Sequence, residues 1–173
     1  MIKYIYTDIL RILRHFPWAL LIGIPLSLGA VGIVNTVRGK RGREKFPVLP
    51  ATLFGSYLSA ILLITFLSRE SGNRVGADWQ LFSTWGINAR NNAYVVENIL
   101  LFVPYGFFSC QTFRGLRRFA RCTLFGMAVS LCIESLQLVT GRGFFQIDDI
   151  LMNTVGTMIG CLIFKLFFGR RKG

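Results

Sequence analysis

Polar residues in the second half of the chain lie within apolar stretches, where they could carry out chemistry. Glu134 and Gln137 are three residues apart and so share one face of a helix. Asp149 and Asn153 are four residues apart and share a face in the same way. Carboxyl groups in apolar surroundings hold a proton more readily, which suits general acid–base catalysis. We therefore expect Glu134, Asp149 and Asp148 to be the candidate catalytic residues.

A second set of polar residues is suited to binding the head of a ligand. The set consists of Asn98, Gln137, Arg142, Asn153 and Glu97. An ionisable side chain inside a spanning helix costs about 2.5 to 3.5 kcal/mol on insertion scales, so such residues usually have a function. Arg142 could neutralise a carboxylate or hold an anionic head group. Asn98 and Gln137 could instead hydrogen-bond between helices, and Glu97 lies near enough to the interface to be solvated.

The acidic residues also allow structural interpretations. Asp148 or Asp149 could cap the helix that follows and favour its dipole. Glu134 could pair with Arg142 or remain a neutral, hydrogen-bonded carboxyl. Glu134 lies too deep to be a cap, so the functional interpretation is stronger there than at the two aspartates.

The composition indicates a membrane protein. Of 173 residues, 53% are hydrophobic and 16% are charged, and the mean hydropathy is +0.51. Lys and Arg number 20 against 8 Asp and Glu, but they separate apolar stretches instead of lining one face. Such flanking charges orient spanning helices. We therefore expect membrane lipids, and no nucleic acid, as partners.

The cysteines and the histidine indicate no further catalytic or metal site. The four cysteines, Cys110, Cys122, Cys132 and Cys161, form no C-x-x-C pair and lie in or beside apolar stretches. This pattern favours reduced, packed thiols over disulfides or a metal site. The lone His15 lies in a basic segment, so no Ser-His-Asp or Cys-His arrangement is indicated. We expect no cofactor and no bound metal, although ligand spacing leaves a carboxylate-bound metal as an alternative.

Apolar stretches predict an all-α, polytopic transmembrane helical bundle of about five spans. The predicted spans are 17–36, about 50–68, 93–112, 119–140 and 149–168. Residues 1–16 have apolar residues at helical spacing between basic ones, which predicts an interfacial helix lying on the membrane. Pro25 removes a backbone donor, so we expect it to kink or break the first span. Gly156 and Gly160 form a G-x-x-x-G pattern, which is typical of helix packing.

The basic segments predict the orientation of the bundle. Segments 37–49 and 113–121 and the basic C-terminus should be cytoplasmic, which places 69–92 and 141–148 outside the cell membrane. The N-terminus is then outside despite its own basic residues. Alternatively, 17–36 could form a broken, re-entrant segment with the N-terminus inside.

The predicted outer end gathers polar and aromatic residues. Polar side chains of the third, fourth and fifth spans lie one to two turns from this end, at about 1.5 Å per residue. Three helices should therefore form one polar pocket open to the outside. Trp79, Phe82 and Trp85 are spaced three apart in the neighbouring segment, as in an interfacial aromatic belt.

Three motifs, in this order, resemble the VanZ-like membrane proteins. Residues 97–106, ENILLFVPYG, are similar to the family's N-x-L-x-F-x-P-x-G segment, and Glu134 and Gln137 match its E-x-x-Q. Residues 141–156, GRGFFQIDDILMNTVG, resemble R-x-x-D-I-x-D-x-x-x-N-x-x-G, except that Gln146 replaces the first Asp. The resemblance covers about residues 50–165. It divides the chain into an N-terminal region, 1–45, with the interfacial helix and an extra span, and a VanZ-like transmembrane domain, 46–173.

The resemblance implies a bacterial cell-membrane protein. The family's namesake is associated with resistance to the glycopeptide teicoplanin, which places the expected function in the cell envelope. The leading hypothesis is binding or modification of a lipid-linked envelope precursor or a lipoglycopeptide in the outer-leaflet pocket. One alternative is an accessory or binding module without turnover. Another is a small proton-coupled transporter that uses Glu134, although the few spans and the lack of an inverted repeat speak against it.

Overall fold

The structure is a computed structural model and describes residues 1–67 and 76–169. Its elements in chain order are α1 (Ile2–Lys40), α2 (Val48–Leu67), β1 (Gly76–Asp78), α3 (Ala89–Thr112), a 3-10 turn (Arg114–Arg117), α4 (Phe119–Val139), β2 (Phe144–Gln146) and α5 (Ile147–Phe168). Within these residues, four helical segments are long and apolar enough to cross a membrane, in α1, α3, α4 and α5. α2 also contains an apolar segment, Val48–Leu63, which is shorter than these four. The predicted all-α bundle of about five spans is confirmed; the start of segment 69–92 and the last four residues lie outside the described part.

The first helix differs from the prediction. Residues 2–16 do not form a separate interfacial helix, because α1 is continuous over 39 residues and contains both Pro17 and Pro25. At about 1.5 Å per residue it is about 58 Å long, well beyond the roughly 30 Å hydrocarbon core of a bilayer. The segment long and apolar enough to span begins at Phe16. Pro25 has no N–H group to donate to the preceding turn, yet the helix continues past it. Close packing of Gly23 against Ser56 of α2 supports α1 at this point.

The basic connections meet at one end of the bundle, here called the basic end. Nη1 of Arg114 lies 2.7 Å from Oε2 of Glu44. The rings of Phe46 and Phe113 pack edge to face, with centroids 5.2 Å apart. The predicted basic segments 37–49 and 113–121 therefore lie on the same side.

The other end, here called the polar end, is closed by a short sheet. β1 and β2 pair in parallel, with Gly76 opposite Phe144 and Asp78 opposite Gln146. The start of α1 also reaches this end, since Asp8 forms an ion pair with Arg90 at the start of α3 (3.5 Å). The N-terminus thus lies at the end opposite the basic connections, as five spans require, and the re-entrant alternative is wrong.

Close packing of α3 on α5 positions the polar residues. A Cβ on Gly156 would overlap the carbonyl oxygen of Ile99, and one on Gly160 would overlap that of Val103. The G-x-x-x-G pattern therefore serves helix packing, as predicted. Because the backbones touch at Ile99 and Gly156, the short side chain of Asn98 one residue earlier can reach α5. The apolar core beside this contact consists of Phe54, Ile61, Phe102, Tyr105 and Ile133.

Candidate functional site

A hydrogen bond between Asn98 and Asp149 joins α3 to α5. Nδ2 of Asn98 donates to Oδ1 of Asp149 over 2.6 Å, and Asp149 is 7% exposed. A bond to a buried carboxylate is stronger than one between neutral groups. The pair therefore fixes one side of the site, with the carboxylate held between two spanning helices.

A second bond joins α5 to α4. Nδ2 of Asn153 donates to Oγ of Ser130 over 2.9 Å, and both residues are buried. Asn153 follows Asp149 by one helical turn, and Ser130 precedes Glu134 by one turn. Oδ1 of Asn153 has no hydrogen-bond partner among the described residues. The three helices thus direct their polar groups toward one another.

Glu134 holds the connection between α4 and α5. Its carboxylate is buried, and Oε2 accepts a hydrogen bond from the backbone N–H of Gln146 over 3.2 Å. The chain returns to this position because Gly141 adopts a left-handed backbone (φ 64°). This lets the N–H of Arg142 bond to the carbonyl of Gln137 (3.0 Å), the Schellman ending of a helix. Arg142 is half-buried just beyond this turn.

Gln137 is the most unusual residue of the site. It is 0% exposed, yet neither its Oε1 nor its Nε2 has a hydrogen-bond partner among the described residues. It lies one turn from Glu134 and on the same face as Ser130. Leaving a buried polar group unsatisfied costs about 1 to 3 kcal/mol. Ser130, Glu134 and Gln137 of α4, with Asn98, Asp149 and Asn153, are called the polar cluster below.

The polar cluster is enclosed. Glu134, Gln137, Asp149 and Asn153 are each less than a tenth exposed, and only Asn98 is half-buried. In the part of the chain that the structure describes, the polar cluster is therefore closed, unlike the predicted pocket open to the outside. Burial inside an apolar bundle makes each unsatisfied amide atom more costly.

Asp148 is directed to a different partner. Its carboxylate accepts hydrogen bonds from the backbone N–H groups of Phe82 (2.6 Å) and Thr84 (2.9 Å). Phe82 has a left-handed backbone (φ 61°), which is unfavourable for a bulky residue. The buried carboxylate compensates for this by fixing the loop. The structure thus gives Asp148, predicted as catalytic, a contact that anchors the loop at the polar end.

Glu97 is also directed away from the polar cluster. It lies beside Asp8 and Arg90 and interacts electrostatically with both. Arg90 in turn contacts Tyr94 through a hydrogen bond of 2.9 Å. Although Glu97 and Asn98 are adjacent in the sequence, successive residues of a helix point in different directions. Glu97 therefore connects α3 to α1 and is not brought together with the other predicted ligand-binding residues.

Comparison with known protein families shows which family the chain belongs to. A family model described as VanZ/LLP1 matches residues 17–168 of the chain. The protein belongs to the VanZ-like family. The match begins within α1 and so extends beyond residues 50–165, on which the resemblance was based. Comparison with curated proteins and with solved structures gives no match.

Gln146, which stands where the family motif has its first Asp, lies between Glu134 and the loop at the polar end. The backbone N–H of Gln146 bonds to Glu134, and its Nε2 lies 3.4 Å from Oγ1 of Thr84. An aspartate here would bring a third acidic side chain close to Glu134 and Asp148. The glutamine instead connects β2 to the loop without adding charge.

Sequence reasoning missed Ser130, Thr84 and Asp8. Ser130 precedes Glu134 by four residues, and this spacing was a signal that could have identified it. Thr84 and Asp8 carried no such signal, because their partners Gln146 and Arg90 lie far away in the sequence.

An Asp148→Asn variant tests the loop-anchoring contact. Asparagine has one acceptor oxygen and no charge, so one of the two loop N–H groups loses its partner. Hydrogen bonds to charged groups contribute about 1.5 to 3 kcal/mol, so the amides of Phe82 and Thr84 should exchange hydrogen at least about 10-fold faster. Hydrogen-exchange mass spectrometry in detergent measures this.

Asp78→Asn is the matched control for that experiment. Asp78 accepts bonds from the hydroxyl of Ser83 (2.6 Å) and the N–H of Gln80 (2.9 Å). These bonds lower the pKa of its carboxyl. This variant should leave the Phe82 and Thr84 amides protected. Equal acceleration in both variants would show that Asp148 does not anchor the loop.

Proposed function

We propose that this VanZ-like protein binds the polar head of a lipid-linked envelope component, a precursor or a lipoglycopeptide, at the polar cluster. The observation that carries the proposal is the amide of Gln137, which is fully buried and without a hydrogen-bond partner among the described residues. A ligand that bonds to both amide atoms would repay the cost of burying them. Because the polar cluster is enclosed, binding requires α3, α4 and α5 to separate enough to admit the head group. The neighbouring Oδ1 of Asn153 provides a further acceptor.

The chemistry of the cluster narrows the class of head group. Gln137 and Asn153 offer amide donors and acceptors, which match the hydroxyl and amide groups of sugars and peptides. The carboxylates of Glu134 and Asp149 would repel an anionic group placed among them. Any phosphate of a lipid-linked precursor would therefore lie nearer to Arg142, which follows the turn that ends α4. A sugar or peptide head suits the cluster better than a simple anionic phospholipid.

Two buried carboxyl groups also favour a second candidate, in which the bound head group is chemically modified. Glu134 and Asp149 belong to different helices but to the same cluster, so one could act as an acid and the other as a base. A binding module without turnover requires only the amides. Glu134→Gln separates the two, because it removes the titratable carboxyl group and keeps a side chain that can hydrogen-bond.

Native mass spectrometry of the purified protein tests the binding proposal. We expect the wild type to retain a lipid with a sugar or peptide head, and Gln137→Leu to lose it. Thr36→Val is the control, because Thr36 is exposed and its hydroxyl bonds only within α1, to the carbonyl of Gly32 (2.8 Å). The proposal fails if wild type and Gln137→Leu carry the same lipids in the same amounts.

The outer-leaflet position is part of the proposal and rests on the positive-inside rule. We propose that the basic end faces the cytoplasm and the polar end faces outward. In a Cys132→Ser background, Gln80→Cys should react with a membrane-impermeant maleimide in intact cells. Arg43→Cys should react only after permeabilisation, since both positions are exposed but lie at opposite ends. The reverse labelling pattern would place the polar cluster at the cytoplasmic leaflet.

A further inference from the structure

Three cysteines meet inside the bundle toward its basic end. Cys110 of α3, Cys122 of α4 and Cys161 of α5 are each 0% exposed. Their three sulfur atoms all lie within 4.8 Å of one another, and those of Cys110 and Cys122 are 3.5 Å apart. All three are free thiols. Sequence spacing gave no sign of this group, because each member comes from a different helix.

The spacing of the sulfurs fits a three-coordinate metal ion. Metal–thiolate bonds are about 2.3 Å long, so three sulfurs arranged in a triangle around one ion stand about 4 Å apart. The Cys110–Cys122 sulfur distance of 3.5 Å lies a little below this value, and no pair of the three sulfurs is more than 4.8 Å apart. Among the described residues, no His, Asp, Glu or fourth Cys joins the group. Structural zinc prefers four ligands in a tetrahedron, whereas a purely sulfur, three-ligand set suits the soft ion Cu(I).

The surroundings offset the negative charge that bound thiolates would carry. The ammonium group of Lys165 interacts electrostatically with Cys122 and with Cys161. Nε of Arg117 lies 3.3 Å from the carbonyl oxygen of Cys110, on the same side. Oγ of Ser109 also lies 3.6 Å from the sulfur of Cys122, while its hydroxyl proton is donated to the carbonyl of Gly106 (2.9 Å). Cationic neighbours of this kind stabilise thiolates.

We propose that Cys110, Cys122 and Cys161 bind one Cu(I) ion at the basic end of the bundle. Each thiol that ligates the ion releases its proton to solvent, and no electron is transferred. The site is independent of the polar cluster, because it lies at the other end of the bundle. Its ligands lie near the C-terminus of α3, near the N-terminus of α4 and in the C-terminal half of α5. The competing interpretation is that the three cysteines are only small packing residues between helices.

Copper titration of the full-length protein in detergent, under anaerobic and reducing conditions, tests the site. We expect the wild type to bind one Cu(I) per chain in competition with bicinchoninate, with an ultraviolet thiolate-to-copper absorption. Cys122→Ser should lose both. Cys132→Ser is the matched control, since Cys132 is the one exposed cysteine, and it should bind as the wild type does.

X-ray absorption of the copper-loaded wild type gives a result that does not depend on the folding of a variant. Three sulfur scatterers at about 2.3 Å are expected. Ligation by two sulfurs, or by nitrogen or oxygen, would overturn the proposal. So would unchanged copper binding in Cys122→Ser, or a mass 2 Da lower in the untreated protein, which would identify a Cys110–Cys122 disulfide instead.

Discussion

Gln137→Leu is expected to unfold at a higher temperature than the wild type while losing its bound lipid. Leucine has a similar volume but no polar atoms, so it removes an amide whose burial without partners costs about 1 to 3 kcal/mol. For a chain of this size, each kcal/mol corresponds to a shift of about 2 to 4 °C in the unfolding temperature. Delipidated protein in detergent, followed by intrinsic fluorescence on heating, provides the measurement.

The opposite signs of the two effects make this variant decisive. If Gln137 only packed or hydrogen-bonded within the protein, its replacement would lower the stability of the protein and leave the bound lipid unchanged. Thr36→Val should change neither property, because its hydroxyl is exposed. A Gln137→Leu variant that unfolds several degrees lower, with its lipid retained, would show that Gln137 is a structural residue.

If the bound head group is chemically modified, as in the second candidate, and if this activity protects cells against teicoplanin, as we propose from the family, Glu134→Gln is expected to keep the bound lipid and to abolish that protection. The amide oxygen of glutamine can still accept the N–H of Gln146, which lies 3.2 Å from the carboxylate in the wild type. The variant therefore retains the fold but cannot transfer a proton. Loss of a general acid or base lowers a rate by about 10² to 10⁴-fold. Growth in graded teicoplanin concentrations measures the effect.

Glu44→Gln is the control for that comparison. Glu44 is an exposed glutamate at the basic end, paired with Arg114, so its replacement removes one carboxylate far from the polar cluster. It should leave protection unchanged. If Glu134→Gln protects cells as well as the wild type does, the carboxyl group is not needed for chemistry, and binding alone accounts for the function.

The helices of this bundle follow from local sequence, because long apolar stretches bounded by basic residues dictate spanning helices. The G-x-x-x-G contact was predictable for the same reason. Gly156 and Gly160 lie on one face, and their lack of side chains allows the close approach to α3 that the structure shows. The continuity of α1 through its two prolines was not predictable from the sequence. A kink or break at Pro25 was expected from the isolated helix. The break does not occur, because α2 packs beside this part of α1 and the helix continues.

The partners within the site could be predicted only in part. The face shared by Glu134 and Gln137 follows from spacing, whereas the directions of Asp148 and Glu97 depend on segments far away in sequence. Asp148 bonds to the loop at Phe82, and Glu97 interacts with Asp8 of α1. The same limitation hid the group of three cysteines. Single-sequence patterns describe one helix at a time, whereas these contacts arise from how the helices pack.

A crystal structure of wild-type protein grown from a lipidic mesophase, with its copurified lipid, tests the central claim most directly. We predict density for a sugar or peptide head group hydrogen-bonded to the Gln137 amide and to Oδ1 of Asn153. A map in which Gln137 bonds only to ordered water or to other protein groups, with no head group between α3, α4 and α5, would contradict the account.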